Sequence, residues 1–376
     1  MTIKEKYCIF HIPNHIDNNG TSGSQVRPRK MMKAFEDIGY KVEVVMGYGE
    51  ERKQAIERIK NNILSGVKYD FLYSESSTMP TLLTEKDHVP RYPFLDFNFF
   101  KFCKKHGIRI GLFYRDIYWR FPAYKLAVKG VKYYAAQLMY RYDLIKYSNL
   151  LDVLYLASSG VARYLPNKKL VSISESLPPA ADKSKYLKEK SAFYGTRATS
   201  KSKSIELFYV GGIGNQYEFL ELLKGIKDIP TVNLTICCRE KEWNINRLHY
   251  EDYLTDRVRI VHVSGDALMP LYMQADVCCC YFSHNEYMDI AVPVKLFEYL
   301  SFGIPVLASR GNPAGDFIAS CKAGWTIDYD SASVKELFER LLAHYEDIQK
   351  AHLCALKAIE GNQWADRALS VSEALS

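Results

Sequence analysis

The sequence predicts an α/β protein of two doubly wound, parallel-sheet domains of similar size. Three observations carry that prediction. Short apolar runs of strand length alternate with helical stretches along the chain. The alternation is interrupted once, over residues 176–203, where Pro, Lys and Ser replace any apolar period, and it then restarts. The length, 376 residues with 48% apolar and 25% charged side chains, suits two domains with cores of their own.

The elements follow in order. Tyr7 to Phe10 is a short apolar strand, followed by the loop HIPNHIDNNGTSGSQ. A helix from Val26 to Ile38 is ended by Gly39, and Lys41 to Met46 is the next strand. Helix 50–65 leads to strand Tyr69 to Tyr73; helix 94–106, ended by Gly107, leads to strand Ile108 to Tyr114. Val153 to Ala157 is the last strand of the first half. Residues 176–203 read as a linker or exposed excursion. In the second half, strands are expected at Ile205 to Val210, Val232 to Cys238, Val258 to Val263, Asp276 to Phe282, Ile304 to Ala308 and Trp325 to Ile327. Helices are expected over 216–227, 332–350 and 351–370. No repeat of solenoid length is present.

Charge is uneven. Residues 1–175 hold 28 Lys and Arg against 17 Asp and Glu, a net of +11, while residues 176–376 hold 22 against 26, a net of −4. The basic excess of the first half suits either an anionic partner or a solvated face. The stretch 115–151 interleaves Tyr and Trp with Lys and Arg, which fits an anionic membrane surface, nucleic acid or tyrosines packed in a core; no nucleic-acid recognition motif accompanies it. No apolar run reaches the length of a membrane span and the first residues do not read as a signal peptide, so a cytoplasmic location, possible on the inner face of a membrane, is the expectation. The nine cysteines lack C-x-x-C spacing, and the runs at 237–238 and 278–280 read as small apolar residues in strands.

The most informative stretch is VPVKLFEYLSFGIPVLAS, residues 292–309. Pro293 suits the first turn of a helix and Gly303 its left-handed end, so this is a strand–helix–strand crossover. Lys295 lies in the first turn, where free amides favour an anion, and Glu298 lies one turn on, on the same face. The pair reads either as a local salt bridge or as contacts to a diphosphate and a ribose diol.

These residues resemble those of the GT-B glycosyltransferases, and most closely family 4 (glycosyltransferase group 1). Glu298 followed by Gly303-Ile304-Pro305-Val306-Leu307-Ala308-Ser309 matches the family's most recognisable segment, here in a P-x-K-x-x-E variant. The resemblance implies two Rossmann-like domains facing each other across a cleft. Residues 1–175 would bind the acceptor and 204–350 the nucleotide-sugar, with 351–376 packing back toward the first domain. Glu298 would bind the ribose hydroxyls and Lys295 the diphosphate, with Asp289 and Val294 beside them. The family's second glutamate, eight positions before the first, is Ile290 here. The loop Gly211-Gly212-Ile213-Gly214-Asn215 would face the diphosphate. The Arg and Lys usual after it are absent, leaving Lys295 or Arg239 to supply positive charge.

The resemblance extends to the first half. Gly20, Ser22, Gly23 and Ser24 lie where the family has its N-terminal glycine loop, in Asn18-Asn19-Gly20-Thr21-Ser22-Gly23-Ser24-Gln25, followed by Arg27 and Arg29. The same residue types also simply cap a helix. Arg115-Asp116 stands where the family often has His-Asp; Asp116 and Glu75, both at strand ends, are candidates for a base or an acceptor ligand, and each is equally a structural partner for Arg115. The implied reaction moves a sugar from a UDP-sugar, more than a GDP-sugar, to a saccharide or lipid-linked acceptor. It is retaining and without a metal; the nearest D-x-D, Asp328-Tyr329-Asp330, lies beyond the last strand. Surface-glycan or glycoconjugate synthesis is the implied setting. Two other readings share the fold: a nucleotide-sugar 2-epimerase, and a non-catalytic partner of another transferase.

Overall fold

The computed structural model describes residues 5–18, 20, 22–199, 204–214 and 217–376. The chain divides into two units, Met1–Pro178 with Trp364–Ser376, and Pro179–Gln363. Each is built on a six-stranded parallel sheet with helices on its faces.

In the first unit the strands are β1 (Lys6–His11), β2 (Tyr40–Val45), β3 (Phe71–Glu75), β4 (Arg109–Tyr114), β5 (Val153–Leu156) and β6 (Ser174–Ser176), in the order β2-β1-β3-β4-β5-β6. The chain winds outward from β1 to β2, then returns to place β3 on the other side of β1. Loops after β1 and β3 therefore leave in opposite directions, which opens a crevice at the carboxyl end of those two strands. The closing helix, Trp364–Leu375, packs on helix Gly23–Asp37 and over β3 and β4. A side chain at Gly111 would meet Leu375 at 2.7 Å, so glycine is what lets that helix lie close to β4.

The second unit has β7 (Ile205–Val210), β8 (Val232–Cys237), β9 (Val258–Val261), β10 (Val277–Cys280), β11 (Val306–Ser309) and β12 (Gly324–Ile327), in the order β12-β11-β10-β7-β8-β9. The winding reverses between the neighbours β7 and β10, which makes their carboxyl ends the corresponding crevice. All four residues of β10 are buried, Cys278, Cys279 and Cys280 included, as a strand covered on both faces requires. No disulfide forms among the described residues.

Residues 176–203 differ from the expected linker. Leu187–Thr199 is a helix belonging to the second unit, and Lys190 and Tyr194 on it are fully buried. Arg197 pairs with buried Asp276 at 2.6 Å, and the Lys190 amine donates to the Met273 carbonyl at 2.9 Å. The segment reads as polar because its anchors are polar groups, and only Tyr194 is a core aromatic. Residues 200–203 lie outside the described residues. The stretch 115–151 forms a 3-10 turn, Tyr118–Arg120, a short helix, Pro122–Ala127, and a long one, Val131–Leu150, entered through Gly130 at φ +63°.

Candidate functional site

The crevice of the second unit gathers most of the donor residues expected from sequence. Helix Val294–Ser301 starts beyond β10, with Pro293 at its N-cap and Gly303, at φ +67°, past its end. Val294 opens the helix and is half-buried. Lys295 Nζ donates to Glu298 Oε2 at 2.6 Å, so the local ion pair is formed. Each side chain keeps about a third of its surface exposed, 33% and 30%. Glu298 is held a second time: the hydroxyl of buried Tyr272 donates to Oε1 at 2.6 Å. Burial, with Glu298 beside it, pushes the Tyr272 hydroxyl well above its ordinary range, so it remains a donor. Tyr299, the next residue along, ties this helix to the end of β7 by accepting from the Val210 amide at 3.1 Å. Neither tyrosine was marked by the motif; Tyr272 comes from the helix before β10 and carries no sequence signal for this role.

The carboxylate nearest the position of the family's second glutamate is Asp289, 41% exposed. Ile290 is buried, and Asp289 is engaged by His284 Nδ1 at 3.1 Å. Arg239 occupies the N-cap position of helix Glu240–Tyr250 and pairs with Glu242 on that helix while remaining exposed.

The glycine loop after β7 has local reasons for its composition. A side chain on Gly211 would strike the Tyr209 hydroxyl, which donates to the Gly212 carbonyl at 2.7 Å. Gly214 has φ +87° and lies against Asn246. Glu242 stands beside Gly212, so a carboxylate borders the glycine loop on that side. Asn215 lies outside the described residues.

In the first unit the loop before helix Gly23–Asp37 is tied down by its own polar residues. Arg29 donates to the carbonyls of Asn18, of Gly20 at 2.5 Å and of Gln25 at 3.0 Å, and Gln25 accepts from the Asp17 amide at 2.7 Å. Ser22 is the N-cap, hydrogen-bonded to Ser24 at 2.9 Å, and Gly23 opens the helix. Asn19 and Thr21 lie outside the described residues.

Glu75, at the end of β3, is fully buried and clamped. Arg115 Nη2 donates to Oε2 at 2.7 Å, Arg27 Nε stands 3.3 Å from Oε1, and the Tyr73 hydroxyl donates to Oε1 at 3.1 Å. Arg27 lies over the Phe113 ring at 3.5 Å. Arg115 also donates to the Ser76 carbonyl at 3.1 Å; burial lowers its pKa, Glu75 opposes that, and Arg27 adds to it. The Glu75 carboxylate is thus a structural partner of two guanidiniums, the alternative left open by the sequence. Asp116 accepts from the Tyr118 amide at 2.7 Å, and burial raises its pKa. A second buried network, His11 with Ser74 at 2.8 Å and Asp96 at 2.9 Å, with Arg52 on Asp96 at 2.9 Å, is fully internal and braces β1 and β3. Among the described residues no three His, Cys, Asp or Glu side chains come together as metal ligands.

Residues 204–347 match the family model described as glycosyl transferases group 1. No curated protein sequence matches the chain. Solved structures do match over nearly the whole length. The chain is similar to HepE of Anabaena in complex with UDP at 10% identity, covering 98% of this chain and 99% of that one with a TM-score of 0.64. It is similar to sucrose-phosphate synthase of Thermosynechococcus elongatus at 14% identity, 98% of each chain and a TM-score of 0.58. It is similar to WaaG, a glycosyltransferase involved in lipopolysaccharide biosynthesis, at 13% identity, 98% and 99% coverage and a TM-score of 0.59. At these identities the likeness is one of fold.

Proposed function

We propose that the chain, GT-B in fold and matching the glycosyl transferases group 1 model over residues 204–347, is a glycosyltransferase that moves a sugar from a UDP-sugar to a saccharide or lipid-linked acceptor at a membrane face. The observation that supports this most is the position of Lys295 and Glu298, at the start of a helix beside the β7/β10 crevice, the loop of Gly211, Gly212 and Gly214 being on the neighbouring strand. A ribose diol donates to Glu298, which Tyr272 holds in place. A diphosphate takes Lys295 from Glu298 and meets the first amides of the helix. Both contacts keep charge balance: the cation changes one anionic partner for another, and the carboxylate receives two hydroxyls in return. UDP is favoured over GDP because HepE, similar in fold, is bound to UDP and to UDP-glucose in its structures.

On the acceptor side, Asp116 follows the end of β4 and, unlike Glu75, forms no guanidinium ion pair among the described residues, which suits contact with an acceptor hydroxyl; Arg115 acts through Glu75 as a positioning residue. The reaction is read as retaining and metal-independent, and glycan synthesis as its setting. The test is turnover of a set of UDP- and GDP-sugars against saccharide and lipid-linked acceptors, followed by nucleotide release and by NMR of the new anomeric centre, with and without EDTA. Transfer from a UDP-sugar with retained configuration and no loss in EDTA is expected. A free 2-epimer from donor alone, or nucleotide binding with no turnover until a partner chain is added, would replace this reading with the epimerase or the scaffold.

A further inference from the structure

The basic, aromatic stretch 115–151 has two faces, and only one belongs to the core. Trp119 and Tyr140 are buried and stacked at 4.9 Å, the Tyr140 hydroxyl donates to the Thr78 carbonyl at 2.6 Å, and Tyr147 is buried beside Thr81. These aromatic residues pack the helix Val131–Leu150 onto its own unit. For these residues the core-packing alternative of the sequence holds.

The outward face of that helix is apolar as well. Val131 is 84% exposed, Tyr134 65%, Leu138 67% and Ile145 58%; spaced by three, four and seven, they form one stripe, and Leu126 precedes it at 76%. A helix with a packed inner face ordinarily turns polar residues outward, so an aliphatic stripe on the solvent side marks a surface that something covers. The charges around it have one sign. Residues 117–151 hold six bases, Arg120, Lys125, Lys129, Lys132, Arg141 and Lys146, and a single acid, Asp143. That acid is turned inward, accepting from the Thr81 amide at 2.7 Å. At the end of the stripe lies a cavity of about 440 Å³, walled by Leu144, Ile145 and Pro166, with Asn167 and the cations Arg141 and Lys168 at its edge.

We propose that this face docks on an anionic lipid bilayer, the stripe Val131, Tyr134, Leu138 and Ile145 entering the interface while Arg141 and Lys168 hold one lipid phosphate at the cavity. Charge complementarity selects this occupant. A second copy of the chain laid along the same stripe would bring a face bordered by Arg141 and Lys168 against its own like, and the one carboxylate of the helix, Asp143, is turned inward. A bilayer offers phosphate to the cations and acyl chain to the stripe together. No helix among the described residues is long and apolar enough to cross a membrane, so the contact is made from the surface. The inference deepens the membrane-side placement proposed above, and its test does not use transfer activity.

The test is co-sedimentation of the full chain with vesicles of phosphatidylcholine alone and of phosphatidylcholine mixed with phosphatidylglycerol, at low and moderate salt. Binding to the anionic vesicles is expected to be at least about tenfold stronger and to weaken with salt. Leu138→Glu with Ile145→Glu should lower it about tenfold on both lipids, and Arg141→Glu with Lys168→Glu should remove the anionic preference. All four sites bear exposed side chains; Lys129→Glu with Lys132→Glu, also exposed, gives a second test of the charge requirement if either pair disturbs folding. Equal binding to both vesicles, or binding unchanged in the variants, would overturn the proposal. So would a dimer in light scattering that Leu138→Glu with Ile145→Glu dissociates, since a second copy would then be the occupant. UDP affinity in the same samples reports on the donor site separately.

Discussion

The Tyr272 hydroxyl donates to Glu298 Oε1 at 2.6 Å, leaving the other oxygen to Lys295. Tyr272 is itself fixed by a ring stacked on Phe302 at 4.6 Å. It therefore aims the carboxylate, which keeps part of its surface open to a ligand. Tyr272→Phe keeps the ring and removes the bond. UDP affinity should fall several-fold, about 1 kcal/mol for one bond to a partly exposed carboxylate. Calorimetry checks it; unchanged affinity would mean that Glu298 needs no help from Tyr272.

Glu75 is predicted to matter for stability before chemistry. Glu75→Gln leaves the buried guanidiniums of Arg27 and Arg115 without a counter-charge, so the chain should lose about 3 kcal/mol or more in urea unfolding. Wild-type stability together with complete loss of turnover would instead make Glu75 a catalytic group.

Asp143 gives a pH signature. Burial raises its carboxyl to about 7, above the ordinary value of 3.8. Between those values the folded state holds a proton that the unfolded chain has released, so this group's contribution is present at acid pH and lost as pH rises toward 7. Asp143→Asn keeps an acceptor for the Thr81 amide and removes the ionisation. Its stability relative to wild type should increase from pH 4 to pH 8, read as the difference between urea midpoints. A pH-independent difference would show that Asp143 titrates normally.

Lys190 predicts the opposite slope. Burial lowers its amine to about 7 from 10.5. The unfolded chain then holds the extra proton between those values, so wild-type stability rises with pH over that window and falls as pH drops through 7. Lys190→Met should flatten that part of the profile. A parallel profile for the two proteins would mean that the carbonyls of Met273 and Ala275 keep the buried amine charged.

Much of the fold was legible because a parallel sheet covered on both faces needs continuous apolar strands, and runs such as Val277 to Cys280 cannot be read otherwise. The Lys295–Glu298 site was legible for a similar reason: Pro293 and Gly303 bracket one short helix and fix which face the pair shares. Helix Leu187–Thr199 was not, because what anchors it is Lys190 on carbonyls and Arg197 on Asp276, contacts made far along the chain by residues that read as surface. Tyr272 escaped for the same reason, as did the contact of Arg27 with Glu75, each meeting its carboxylate from a different element. In the stretch 115–151 the residue types were informative but the faces were not: no periodicity told buried Tyr140 from exposed Leu138.

The central claim, that Lys295 and Glu298 bind two parts of one nucleotide diphosphate, is tested most directly by calorimetric titration of UDP into wild type, Lys295→Ala and Glu298→Ala. The account predicts saturable binding by wild type and at least about a tenfold loss in each variant, as expected for a charged hydrogen-bonding group removed from a ligand contact. UMP should lose affinity to wild type but be indifferent to Lys295→Ala. UDP binding at wild-type strength in both variants would contradict the account and leave the pair as an ordinary salt bridge on a helix.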